Sequence, residues 1–351
     1  MSAPQIPSTH LALIVTADKG YEVKEQALPA YDDLLVKVHA AALNPTDWKH
    51  VHFGLIKPGT STGSDFAGVV VAAKGSQQYK VGDRVAGFTR GGFLHQDNGA
   101  FAEQIADETA EFISAQTPVV WRIPEHITFE QAAAIGGIPG NTAAQALYTR
   151  LDIPRPWAPS QSNAVKAGDP ILIWSGAASV SYYAIQLAKL AGLKVYTTAS
   201  SHHHESLKKL GADEVFDYRD PDVAQKIKAA SGGKIKVCLD GISLTETREL
   251  AAKSMSDEGG KIVSLLGMAG EKYPGIEFLP TLIYSVLDPN NKVDVADIAE
   301  WHKILPELIE SGKLRPHSID HRHGLANIPE GLKHLQSGKV SGQKIVYTLS
   351  K

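Results

Sequence analysis

Cysteine is nearly absent from this 351-residue chain, which has only Cys238. That excludes a disulfide framework and any cysteine-rich zinc lobe, and it fits a reducing, intracellular setting. No stretch approaches the roughly eighteen consecutive apolar residues that a membrane-spanning helix needs. The opening "MSAPQIPSTH" lacks both the basic stretch and the apolar core of a secretion signal. We therefore expect a soluble, cytoplasmic protein with no membrane partner. Neither sign of charge dominates: 35 Lys plus Arg face 38 Asp plus Glu, a formal net charge of -3. A balance this even argues against nucleic acid or an anionic membrane as partner.

Glycine is missing where it would be most diagnostic. The stretch "DPILIWSGAASVSYYAIQLAKLAG" reads as strand, tight turn and helix, the shape of a dinucleotide-binding turn. Only Gly176 lies in that turn, which runs on through Ser179 and Ser181 without the later glycines of the G-x-G-x-x-G fingerprint. Gly176 is expected to supply the tight turn, with Ala177, Ala178 and Ser179 small enough for a ligand to approach the backbone. The turn alone serves an ordinary packed crossover equally well. An acid is also missing further on. A fold that binds NAD carries an Asp or Glu about 20 residues beyond the turn to accept from the ribose 2′-hydroxyl. Here the sequence is "TTASSHHHES", without an acid before Glu205. Ser200, Ser201, His202 and His203 are donors suited to the 2′-phosphate of NADP, although the triple histidine also reads as a solvated helix cap.

What is present divides the chain. A length of 351 residues implies more than one core. From residue 10 to about 125 the pattern is strands and turns: "LLVKVHAAAL" alternates, "DFAGVVVAA" is β-branched, and "YKVGDRVAGF" places a Gly-Asp turn between short strands. "FEQAAAIGGIPGNTAAQALYT" reads as two short helices broken by glycines and proline, and "RLDIPRPWAPSQSNAVKAGD" as an irregular loop. Five apolar strands then alternate with amphipathic helices, beginning at "PILIWS" and ending at "GKIVSLLG", which implies a parallel, doubly wound sheet. "IEFLPTLIYSVL" could be an edge strand that pairs across a dimer, but Pro280 can equally block such pairing. The last strand, "GQKIVYTL", has no sheet of its own nearby and should return to the N-terminal β-rich domain. We place that domain at residues 1–125 and 290–351 and the nucleotide fold at 126–289.

"AALNPTDWKH", "GSDFAGVV", "VGDRVAG", "GAFAEQ", the turn above and "SGKVSGQKIVYTL" occur in the order seen in the medium-chain dehydrogenase/reductase superfamily. Over nearly its whole length the chain resembles that superfamily, and within it the zinc-independent quinone oxidoreductases and the fungal trans-acting enoyl reductases of polyketide pathways. The resemblance implies an α/β protein with a GroES-like β-rich catalytic domain and a Rossmann cofactor domain. It also implies places for functional residues. Thr46, Asp47, Trp48 and Lys49 match the segment beside the nicotinamide, Ser179 and Val180 the pyrophosphate turn, and Ser200, Ser201, His202 and His203 the 2′-phosphate loop. Tyr218 matches a residue contacting the adenosine, Leu265 and Leu266 line the nicotinamide, and Ser341 and Gly342 make a late contact. Gly137 to Leu147 match the substrate wall, with Thr142 toward the hydride path. Each has a plainer reading: Asp47 orients its own turn, Tyr218 is a strand-end aromatic, and Lys49 is a solvated charge.

Zinc-dependent members of the superfamily take ligands from a cysteine opening "C-x-T-D" and from a His-Glu pair after a glycine. This chain has Asn44 in "NPTD" and Ser64-Asp65 in "GSD", so no metal is expected. Without a Lewis acid, a conjugated C=C is easier to reduce than a plain ketone, because it needs only a hydrogen bond to the activating carbonyl. His317, His321 and His323 have no acid in register for a Ser-His-Asp hydrolase. The expected function is NADPH-dependent reduction of an enone, enal or quinone-like acceptor, with Lys49 or Thr142 holding the carbonyl, in a monomer or homodimer. Alternatives are a partner-dependent enoyl reductase served by a synthase, a zinc-free carbonyl reductase, and a non-catalytic NADPH-binding protein.

Overall fold

The computed structural model describes residues 6–74, 76–93, 99–103, 112–158, 165–267 and 273–349. Residues 159–164 of the expected irregular loop, and Gln104 of "GAFAEQ", lie outside them. The chain forms two compact units. The first comprises Met1–Ile138, Leu305–Glu310 and Arg315–Lys351; the second comprises Pro139–Ile304 and Ser311–Leu314.

The first unit begins with β1 (Thr9–Val15), β2 (Tyr21–Ala27) and β3 (Leu34–Ala42), then α1 (Pro45–His52), β4 (Asp65–Ala73) and β5 (Arg84–Phe88). After β6 (Ala102–Glu103), β7 (Phe112–Ala115) and β8 (Val120–Arg122) comes α2 (Phe129–Gly136). Thr128 caps α2 reciprocally: its hydroxyl accepts from Gln131 N–H, and the Gln131 carboxamide accepts from Thr128 N–H.

The chain continues with α3 (Ile138–Ala144), β9 (Pro170–Trp174), α4 (Ser179–Leu190), β10 (Lys194–Thr198), α5 (His204–Leu210) and β11 (Glu214–Phe216). It runs on through α6 (Val223–Ala230), β12 (Val237–Asp240), α7 (Thr245–Ser254), β13 (Gly260–Ser264), β14 (Ile276–Pro280) and α8 (Lys292–Glu310). The chain ends with β15 (Ile319–His323), α9 (Ile328–Gln336) and β16 (Lys344–Thr348).

In the second unit, β9 to β14 form a six-stranded, wholly parallel sheet in the order β11-β10-β9-β12-β13-β14. "IEFLP" supplies a sixth strand at the sheet edge, beyond the five expected. The order reverses between β9 and β12, and ligands of such sheets bind beyond the carboxyl ends of the strands at that reversal. Cys238 lies in this sheet's core with Leu172, Trp174 and Ile262, and burial pushes its thiol pKa well up. It is an inert core residue.

In the first unit, β1 pairs with β2 and β6, and a larger sheet runs β15-β16-β3-β4-β5-β8 with β7 against β3. The C-terminal strand does join the β-rich unit. β16 runs antiparallel to β3, placing Val346 opposite Ala42. This pairing brings the end of the chain to the start of α1.

Candidate active site

In the first unit, α1 starts at a buried polar cluster. Asn44 N–H donates to Asp47 Oδ2 at 2.7 Å, and Ser64 Oγ donates to Asp47 Oδ1 at 2.8 Å. Asp47 is 2 % exposed and accepts on both carboxylate oxygens, so its side chain fastens its own turn. From β16, Lys344 Nζ donates to Asn44 Oδ1 and lies 3.3 Å from Asp65 Oδ2. Asp65 Oδ1 accepts Ile138 N–H at 2.6 Å. A Cβ at Gly137 would overlap the Asp65 carboxyl group, so glycine is required there. The buried Asp65 thus has Lys344 as its cation, and buried Asp47 feels the charge of both. Burial pushes the Asp47 pKa up to about 7, with the Asp65 charge adding to the rise and the Asn44 and Ser64 bonds and Lys344 opposing it. The Asp65 pKa is also raised by burial, with Lys344 pulling the other way.

The rest of α1 is less enclosed. Thr46 Oγ1 lies 2.8 Å from His50 Nε2, and the His50 ring stacks on Phe93 at 4.4 Å. Burial lowers the His50 pKa to about 4, so its ring is neutral at pH 7. Lys49 is partly buried, its Nζ lies 5.7 Å from the Trp48 ring centroid, and burial lowers its pKa. Ser341 is exposed, and Gly342 takes a left-handed φ of 65° in the turn leading to Lys344.

The side chains of the polar cluster are engaged with one another rather than open to a metal ion. The Asn44 amide oxygen and the Asp65 carboxylate face an ammonium, and the Ser64 hydroxyl is spent on Asp47. Among the described residues, no group of three or more His, Cys, Asp and Glu side chains is placed to hold a metal ion.

In the second unit, the turn after β9 is built differently from the sequence expectation. The left-handed residue is Ser175, at φ 64°, and its N–H is held by Thr198 Oγ1 at 2.9 Å. Gly176 is needed instead for closeness, because a Cβ there would overlap Thr197 Oγ1. Ser181 is fully buried at the place of the fingerprint's last glycine and donates to Trp174 O at 3.2 Å. The room it takes comes from across the sheet, where a Cβ on Gly241, just after β12, would overlap Ser181 Oγ. Ala178 begins α4 without a side-chain cap, so the amides of Ser179 and Val180 suit a pyrophosphate.

Beyond β10, Ser200 is nearly buried while Ser201 and His202 are exposed. Burial, helped by the neighbouring His202 and His204, lowers the His203 pKa. Tyr218 is 45 % exposed with the Arg219 guanidinium 4.9 Å from its ring, and Arg219 Nη2 donates to Ser200 Oγ at 3.1 Å. Arg219 was not singled out by the sequence.

Leu265 and Leu266 are fixed by residues that the sequence did not single out. Ser243 Oγ accepts Leu265 N–H at 2.7 Å, and Ser264 Oγ donates to Leu266 O at 2.9 Å. Buried Arg248 donates to Ser243 O at 2.6 Å and to Gly267 O at 3.0 Å. Thr142, on α3, is 7 % exposed. Its neighbour Asn141 accepts from Trp301 Nε1 and His302 Nε2, both at 2.9 Å, and α3 continues into a π-helical turn over Gln145–Arg150.

Comparison with known proteins agrees with this layout. The alcohol dehydrogenase GroES-like domain matches residues 30–116, and the zinc-binding dehydrogenase domain matches residues 179–285. Trans-enoyl reductase ACTTS2 of Alternaria alternata is 36 % identical over 97 % of this chain and 99 % of its own. Trans-enoyl reductase FSL5 of Gibberella zeae is 33 % identical over 98 % of both chains. Among solved structures, an alcohol dehydrogenase superfamily protein from Novosphingobium aromaticivorans superposes with a TM-score of 0.81 at 23 % identity, covering 97 % of this chain and 99 % of its own. The quinone oxidoreductase from Coxiella burnetii gives 0.71 at 25 % identity over 97 % and 99 %.

Proposed function

Since this chain belongs to the trans-enoyl reductase branch of the medium-chain dehydrogenase/reductase superfamily, we propose that it is an NADPH-dependent reductase of the C=C bond in α,β-unsaturated carbonyl or quinone-like substrates, working without zinc. The observation that carries this reading is the Lys344–Asp65 pair. A cation supplied by the chain itself stands among the positions from which metal-dependent relatives draw ligands, and it is hydrogen-bonded to Asn44. Substrate polarisation therefore falls to hydrogen-bond donors, which suffice for a conjugated alkene.

When bound, the nicotinamide supplies the hydride. The residues that would hold the cofactor are Ser179 and Val180 at its pyrophosphate, Ser200, Ser201, His202 and His203 at its 2′-phosphate, Tyr218 at its adenosine, and Leu265 and Leu266 beside its ring. Thr46, Trp48, Ser341 and Gly342 would complete the contacts by backbone or side chain, and Asp47 would act by fixing the turn. Lys49 or Thr142 would donate to the substrate carbonyl as charge develops on its oxygen. Partial burial leaves the Lys49 ammonium poorly solvated, so it gains most when an enolate oxygen appears beside it. Solvent would then protonate the α-carbon. A substrate presented by a synthase is the second reading, favoured by similarity to the trans-enoyl reductases.

The test is turnover of free enals, quinones and aldehydes with C4-deuterated NADPH, before and after chelation. Deuterium at the β-carbon, unaffected by chelators, supports the proposal. Label on a carbonyl carbon, or activity lost to chelation and restored by zinc, overturns it. Reduction only of a carrier-bound enoyl chain would select the second reading.

A further inference from the structure

We propose that Arg219 is the residue that selects the phosphorylated cofactor, with its guanidinium meeting the 2′-phosphate beside Ser200; this rests on the NADPH reading above. Ser200 stands directly after β10, where a fold that binds NAD carries its ribose-binding acid. Arg219 reaches this point from the loop after β11. Its Nη2 donates to Ser200 Oγ at 3.1 Å, and its side chain remains 58 % exposed. The ring of Tyr218 backs the guanidinium at 4.9 Å, restricting a side chain that otherwise loses much rotamer freedom on binding. A planar guanidinium offers five N–H donors in a fork that matches phosphate oxygens.

Two other cations of this region are engaged elsewhere. Lys226 pairs with Asp220, and Lys209 pairs with Glu205 at 2.6 Å. The described acidic partner of the guanidinium is Asp217, 3.8 Å from Nη1 and beyond hydrogen-bond distance. The Asp217 Oδ1 atom accepts the Arg219 backbone N–H, which ties down the loop. His203 is a poor source of positive charge here. Burial and its neighbours His202, whose ring centroid lies 4.0 Å away, and His204 hold it toward its neutral form. An imidazole loses its charge between about pH 5 and 8, whereas a guanidinium keeps it. The selecting charge is therefore assigned to Arg219, and His203 contributes a neutral hydrogen bond.

The experiment measures NADPH and NADH dissociation constants for wild type, Arg219→Ala and Arg219→Lys, at about pH 7 and about pH 8.5. Wild type should prefer NADPH at both pH values. Arg219→Ala should weaken NADPH binding roughly 10- to 100-fold, the range of a lost charge-assisted contact, while leaving NADH binding within about 2-fold. Arg219→Lys should recover part of the loss. Unchanged NADH affinity also shows that the variant is folded. If wild type prefers NADPH and Arg219→Ala keeps that preference, Arg219 is not the selector. A wild-type preference that collapses by about pH 8.5 would assign the charge to the histidines and likewise overturn the inference. Equal wild-type affinity for both cofactors would instead defeat the NADPH reading.

Discussion

Lys344 Nζ stands 3.3 Å from Asp65 Oδ2, with the two side chains 3 % and 0 % exposed. This buried pair joins the last strand of the chain to β4, and through Asn44 it also fastens the start of α1. Removing the lysine would strand a carboxylate away from water. Lys344→Met is expected to cost about 3–5 kcal/mol, read as a loss in urea midpoint. Adding Asp65→Asn should restore part of that loss, because the uncompensated charge is then gone.

Asp47 makes stability depend on pH. Its folded-state pKa, about 7, exceeds the ordinary value of 3.8, so the native state holds a proton that the unfolded chain has released. The resulting stability is fully present below pH 3.8, declines as pH rises toward 7, and is gone above it. Asp47→Asn keeps a neutral group able to accept from Asn44 and to bond Ser64. Stability curves measured across this window should be flatter for the variant than for wild type, and parallel curves would contradict the assignment.

Gly241 and Ser181 should behave as a coupled pair. Gly241→Ala forces a methyl against Ser181 Oγ and, at 2.9 Å, against Trp174 O. The expected cost is about 1–3 kcal/mol, as for other overpacked cores. Ser181→Ala in the same background should recover part of it by removing the hydroxyl. Thermal melts of the four proteins give the coupling directly, and strictly additive effects would refute the pairing.

Lys49→Met should lower kcat more than it weakens NADPH binding, because the lost interaction strengthens as charge reaches the carbonyl oxygen. Steady-state kinetics beside a cofactor titration make the comparison. Unchanged kcat would shift the carbonyl contact to Thr142.

The sequence by itself determined the alternation of strand and helix, the parallel sheet and the return of the final strand. All of these follow from patterns between near neighbours, where side-chain period and turn chemistry are local. Only the tertiary structure decided which distant groups meet. Lys344 reads as a stray charge at the head of an apolar strand until the antiparallel pairing of β16 with β3 carries it to Asn44 and Asp65. Arg219 reads as a loop cation until the parallel pairing of β10 with β11 sets it beside Ser200. The missing glycine at Ser181 reads as a defect until β12 pairs with β9 and brings Gly241 to make room for it. The physical reason is common to all three: strand order and register fix these encounters, and hydrogen bonds and close packing act only between groups that the sheet has already brought together.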